Sequence, residues 1–235
     1  MNYFLLAQHL TLLLFLCLSS CKQKNNRIEQ HYHQAAEYSE KRNHKQALIY
    51  ADKITQVESS PRSLALKATL LYQNNKLQES KKTFELALQQ KNISPEIKSA
   101  ILNNYATVLA SLGKKNKAKA IWQKLTTTKE YATPEVAWFN LGMLAYKDGM
   151  VGKKDTAQIM QHTSNAIHYF SKALALESEY VDAHFFKAKA LLNLKKDKDA
   201  QQLLKRVIAL APEHQEAQHL LGGKKVKPCG VAHRK

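Results

Sequence analysis

Internal repetition constrains this 235-residue chain more than any other feature. With Glu135 as position 1 of a unit, Trp138, Leu141, Gly142 and Ala145 fall at positions 4, 7, 8 and 11. After an insert, Ala166, Phe170 and Ala173 take slots 20, 24 and 27. Starts at 28, 61, 99 and 181 reproduce the register: Ala35, Tyr38, Ala47 and Ile54; Ala68, Leu71, Ser80, Phe84 and Ala87; Leu102, Tyr105, Ala106, Leu109, Gly113, Ala118, Trp122 and Leu125; Ala188, Leu191, Ala200, Leu204, Val207 and Pro212. Small residues at 8 and 20 let two helices of a hairpin approach closely, and larger ones at 4, 7, 11 and 24 fill the space between hairpins. A period near 34 residues means one helical hairpin per unit, each burying its apolar face against its neighbours.

The run Trp138-Phe139-Asn140-Leu141-Gly142, followed by Asn165 to Leu174, resembles a tetratricopeptide (TPR) unit. The resemblance implies an all-α fold, a superhelix of about five hairpins over residues 28–221, with residues 215–221 as a capping helix and 222–235 as a basic flexible tail. The step from Glu135 to Val181 is 46 residues, about 12 more than one unit. The surplus lies at 150–165. Gly149 and Gly152 are expected to break the first helix, and Asp155 to cap a new one through its carboxylate. Residues 156–176 are then one overlong second helix projecting about three turns past the array.

Residues 1–20 carry the signals of export. From Tyr3 to Leu18 there is no Lys, Arg, Asp or Glu. That stretch suits the apolar region of a signal peptide better than a membrane span of about 20 apolar residues. Leu18-Ser19-Ser20-Cys21 resembles the lipobox of bacterial lipoproteins, although Met1-Asn2-Tyr3 lacks the usual cation. The resemblance implies cleavage before Cys21, its acylation, and a linker over residues 21–27. Lys22 after the cysteine fits sorting to the outer membrane, on its periplasmic side. With Cys17 removed and Cys21 lipidated, Cys229 has no partner for an intramolecular disulfide. The net charge of +17 would suggest nucleic acid in a cytosolic protein. In an exported one it faces anionic lipid, lipopolysaccharide phosphates or an acidic protein.

The sequence offers no catalytic constellation and no cofactor or metal site. His31 and His33 are two apart, on different faces of a helix, where a metal pair wants three or four. Gly-rich phosphate loops, nucleophile elbows and paired Cys are missing. The chain is therefore not read as an enzyme, and function is expected in a concave groove lined by first helices. Its predicted lining is Tyr72, Gln73, Asn103, Asn104, Thr107, Phe139, Asn140, Met143, Tyr146, Lys147, Phe185, Phe186, Lys189 and Asn193. Amides can bond an extended backbone in both senses, and aromatics anchor apolar groups. Asn104 and Asn140, both at position 6, are expected to form a ladder. A second surface is a basic rim of hairpin turns: Lys41, Arg42 and Lys45; Lys114, Lys115 and Lys117; Lys153 and Lys154; Lys195, Lys196 and Lys198.

A lipobox followed by such repeats resembles the type IV pilus biogenesis lipoproteins, the pilotins that assist secretin assembly. The likeness lies in Leu102-Asn103-Asn104-Tyr105-Ala106, then Ala118 and Trp122, then Tyr131 to Pro134 leading into Asn140-Leu141-Gly142. Ala106 stands where the family has Gly, and the insert is a further departure. The resemblance implies a secretin subunit as protein partner. A general envelope scaffold that docks cell-wall enzymes, and a basic-rim binder of envelope polyanions, remain the alternatives.

Overall fold

Serine, proline and aspartate set where the helices begin. Ser60 accepts from the Ser63 amide while the Ser63 hydroxyl accepts from the Ser60 amide, with Pro61 opening the helix. Ser94 accepts from the Ile97 amide ahead of Pro95, and the Asp155 carboxylate accepts from the Gln158 amide at 2.7 Å. Such caps satisfy amides that lack intrahelical partners.

The computed structural model describes residues 24–150 and 155–222. Eleven helices and no strand occur among them. They are α1 (24–40), α2 (His44–Val57), α3 (Pro61–Gln73), α4 (Leu77–Gln89), α5 (Pro95–Ser111), α6 (Lys115–Leu125), α7 (Pro134–Met150), α8 (Thr156–Leu176), α9 (Val181–Asn193), α10 (Asp197–Leu210) and α11 (Gln215–Leu221). Helix is already present at residue 24, inside the expected linker. Two compact units divide between Leu112 and Gly113, within the repeat that starts at Ser99.

In the first unit, α1 to α5, the small-residue register does what the spacing requires. Ala68 and Ser80 are both fully buried, and the Ser80 hydroxyl donates to the Ala68 carbonyl at 2.7 Å. The hairpin approach is thus close enough for one helix to bond the backbone of the other. Around it pack Leu64, Phe84, Ala87, Ile101 and Val108.

In the second unit, α6 to α11, Gly142 faces the Phe170 ring. A Cβ on Gly142 would stand 2.5 Å from Phe170 Cε1, so a glycine is required there. Farther along, Phe185, Ala188, Leu191, Ala200, Leu204, Val207 and Ala217 form one core, closed by α11. His184 and Lys187 occupy repeat slots usually apolar. His184 Nε2 donates to the Ser178 carbonyl at 2.9 Å, and burial lowers the Lys187 pKa.

The turns inside the hairpins share one device. Arg42, Asn75, Gly113 and Lys195 all have positive φ, and all stand at position 15 of their units. The next residue bonds back five positions, as in Lys76 N–H to Leu71 O and Lys196 N–H to Leu191 O. A residue after a helix that turns left-handed closes the last carbonyls in this way. Side chains other than Gly are strained in that region. Lys195→Gly should therefore stabilise the protein by roughly 0.5–1 kcal/mol after glycine's own entropic cost. Lys195→Val should destabilise it, and urea denaturation compares the two.

Gly149 stands at the same position 15 but is itself helical, and α7 ends one residue later at Met150. Gly149 is buried, and a Cβ on it would lie 3.3 Å from the His162 Cβ. The glycine serves close approach of two helices, because the inserted residues supply α8 with extra turns to lie against it. The helix α8 has 21 residues against 13 in α4 and 14 in α10. It begins at Thr156 behind the Asp155 cap as expected. It does not project freely, since Thr163 is buried and α7 extends beside it. The insert thus lengthens a whole hairpin. Gly152 lies outside the described residues.

Candidate functional site

Helices α7 and α9 come together in the second unit, and their shared face is aromatic. Phe186 is the hub. Its ring centroid lies 6.0 Å from Phe139, 6.1 Å from Tyr146 and 6.4 Å from Phe170. Phe139 is steadied from beneath by Tyr180 at 5.0 Å. Burial, then Asp182, Glu135 and Tyr131, push the Tyr180 phenol up to about 12, so the ring stays neutral. Phe139, Tyr146 and Phe186 are half-buried: held in place by the core and still open on one side. Lys189 lies 5.2 Å over Phe185 and 5.6 Å over Phe186, and its ammonium pairs with Glu216 at 2.7 Å. Rigid aromatic rings with one free face are well suited to anchoring apolar side chains of a partner.

The first unit carries a depression between α3 and α5, of about 180 Å³. Thr69, Tyr72, Gln73, Asn104 and Thr107 supply polar edges over a floor of Phe84 and Val108. Tyr72 Oη is 3.2 Å from Ser111 Oγ. Nearby, Tyr105 donates to Glu85 at 2.8 Å, and burial with that carboxylate pushes its phenol up to about 12.

Each predicted residue now has a place. Tyr72 and Asn104 line the depression of the first unit, and Phe139, Asn140, Tyr146 and Lys189 lie on helices of the second. Asn104 and Asn140 belong to different units. Asn140 is half-buried and already engaged within the protein. Phe185 does not line the groove. It is 3% exposed, in the core beneath α11 with His214 4.4 Å away. Asn103 is 8% exposed, its amide donating to Asn104 Oδ1 at 3.3 Å, so it supports the site rather than offering contacts. Both errors have one cause: position 5 is rotated by about 100° from position 6 and can face the packed side. Asn193 is exposed and donates to Met150 Sδ at 3.4 Å. Thr69 was missed, although it occupies the same position 9 as Thr107.

Lys114, Lys117, Lys195, Lys196 and Lys198 are exposed, and Lys115 pairs with Asp148. In the first unit Lys41 pairs with Glu37 at 2.6 Å. Cys21, Lys153, Lys154 and the tail beyond residue 222 lie outside the described residues. Among the described residues no three His, Cys, Asp or Glu side chains form a metal-binding group, and no helix is long and apolar enough to cross a membrane.

Residues 160–222 match the tetratricopeptide repeat family model. The chain carries the TPR fold. Among solved structures, it is similar to PilW, described as a widely conserved type IV pilus biogenesis factor. The two are 20% identical, with 85% of this chain and 82% of that one covered and a TM-score of 0.65. It is similar to PilF of Pseudomonas aeruginosa at 16% identity, covering 84% and 82%, with a TM-score of 0.63. It is also similar to YrrB, a TPR protein with an unusual peptide-binding site, at 19% identity, 86% and 96% coverage and a TM-score of 0.50. None of the curated proteins matches the sequence. TPR folds are protein-interaction scaffolds.

Proposed function

We propose that the chain is a lipid-anchored, periplasmic TPR module that holds a protein partner on the first-helix faces of its hairpins. The observation that carries this reading is the half-buried Phe139–Phe186–Tyr146 cluster. A monomeric helix face open to water would ordinarily be polar. This one places three aromatic rings where they are rigid and reachable. The amide-edged depression of the first unit, with Asn104 exposed, suits an extended backbone.

The partner proposed is a secretin subunit, carried to the outer membrane for pilus assembly. Support comes from the Leu102 to Ala106 and Asn140 to Gly142 motifs and from structural likeness to PilW, a type IV pilus biogenesis factor, and to PilF. The test is secretin multimer formation in cells. Tyr146→Ala with Asn104→Ala should abolish multimers, while Lys114, Lys115 and Lys117 changed together to Glu should largely retain them. The reverse outcome moves binding to the rim and favours a polyanion or scaffold role.

Anchoring is proposed at Cys21, after the uncharged run from Tyr3 to Leu18. Cys21→Ala should leave the precursor unprocessed or free of the membrane. Mass spectrometry of the mature N-terminus decides it: acyl chains on Cys21 are expected, and an unmodified Cys21 or an intact Met1 contradicts the assignment.

A further inference from the structure

The described end of α7 and the first turns of α8 expose apolar side chains that the groove reading does not use. Met150 is 58% exposed, Met160 53% and Ile159 37%. Met150 ends α7, while Ile159 and Met160 lie in the first turns of α8. None of the three joins a core cluster of the described residues. The structure also fixes what flanks this patch. On one side the Lys115–Asp148 pair ties the start of α6 to the end of α7 and brings with it the exposed Lys114 and Lys117. On the other, the Asn193 contact to Met150 brings the end of α9 and the exposed turn Lys195-Lys196, followed by Lys198. Lys147 adds a further exposed cation on α7 itself. Of the acids nearby, Asp148 pairs with Lys115 and Asp155 caps α8, while Asp197 and Asp199, exposed in the first turn of α10, offset part of the charge of Lys195, Lys196 and Lys198.

We infer that this patch docks on a bilayer of anionic phospholipid. The inference goes beyond the groove and uses different residues. The apolar side chains are exposed where the described parts of α7 and α8 meet, with exposed cations on the neighbouring turns. That order suits a surface in which phosphates meet the lysines while the apolar side chains enter the acyl boundary. A protein ligand would instead want a concavity for its own anchor. Lysines near an anionic bilayer contribute individually and are screened by salt, so the contact should be sensitive to both lipid charge and ionic strength.

The full chain is reconstituted with vesicles containing brominated acyl chains, either neutral or with an anionic phospholipid included. Met160→Trp introduces a reporter in the patch. Leu176→Trp is the control: Leu176 is 55% exposed at the other end of the same helix, about 24 Å away at 1.5 Å per residue. The parent protein supplies the background from Trp122 and Trp138. In anionic vesicles the emission added by Met160→Trp should shift to the blue and be mostly quenched, with Leu176→Trp unaffected. In neutral vesicles, or with Lys195→Glu and Lys196→Glu added, the quenching should be lost. Equal behaviour of the two reporters in anionic vesicles overturns the inference and leaves the patch to an acidic protein surface. Quenching that ignores lipid charge overturns the role given to the lysines. Because the N-terminal segment is present in every sample, an anchor there cannot produce the difference between the reporters.

Discussion

Gly142→Leu should destabilise the second unit by about 3 kcal/mol, at the upper end of what overpacking costs. The reason is local: the Phe170 ring already lies where a Cβ would begin, 2.5 Å from its ideal position, and that ring is fully buried. It is hemmed in by Phe139 at 5.7 Å and Phe186 at 6.4 Å, so it has nowhere to swing. Phe170→Ala should cost roughly 3–5 kcal/mol, the usual range for deleting a buried phenyl group. The double variant should lose less than the sum, because the leucine can occupy part of the space the ring leaves. Denaturant melts of the four proteins give the coupling. Additive losses would mean that position 142 does not pack against position 170, and the repeat register would fall with it. In a repeat protein the damage should also be local, so amides of α7 to α9 should gain exchange before those of α3 and α4.

Tyr146→Ala is expected to weaken partner binding by about 30-fold, the equivalent of roughly 2 kcal/mol for a hot-spot aromatic. Tyr146 touches Phe186 at 6.1 Å and keeps one face open, so its removal deletes contact surface while leaving the core ring Phe170 in place. Asn140→Ala is the poorer probe. That amide is half-buried and engaged within the protein, and its loss would cost stability along with affinity. Asn104 is exposed, so Asn104→Ala separates the two effects more cleanly in the first unit. Titration calorimetry with a secretin-derived segment measures the change. A Tyr146→Ala protein that binds as tightly as the parent would remove the aromatic face from the interaction.

The elements that were legible in the sequence are those decided by contacts that recur. The small residue at Gly142 and the approach of Ala68 to Ser80 follow from a spacing that every hairpin must satisfy, whereas the packing of Phe170 onto Gly142 inside the hairpin does not. The start of α8 could be read because an Asp cap is a short-range bond, from Asp155 to the Gln158 amide. The close approach at Gly149 could not be read. Whether a glycine ends a helix or admits a neighbour depends on what lies opposite, and the residues opposite belong to an insert with no counterpart in the other units. Within the candidate site, position 6 was read correctly as accessible in Asn104, while position 5 was misjudged in Phe185 and Asn103. A pattern gives the angle of a side chain around its own helix, but not what the neighbouring elements place against it: Phe185 is covered by α11, and Asn103 is buried within its own unit. The apolar patch of Met150, Ile159 and Met160 was hidden for the same reason: its exposure follows from how far α7 and α8 run together.

The central claim is that the first-helix face of the second unit is where a protein partner sits. Photocrosslinking from a benzophenone amino acid at position 146, in cells and in the full-length chain, tests it most directly, with position 176 on α8 as the comparison. Under the account given, ultraviolet light produces an adduct containing a secretin subunit from position 146, absent from position 176 and lost when Phe186→Ala is added. Adducts from position 176 alone, or none from position 146 while secretin assembly still depends on this protein, would contradict it.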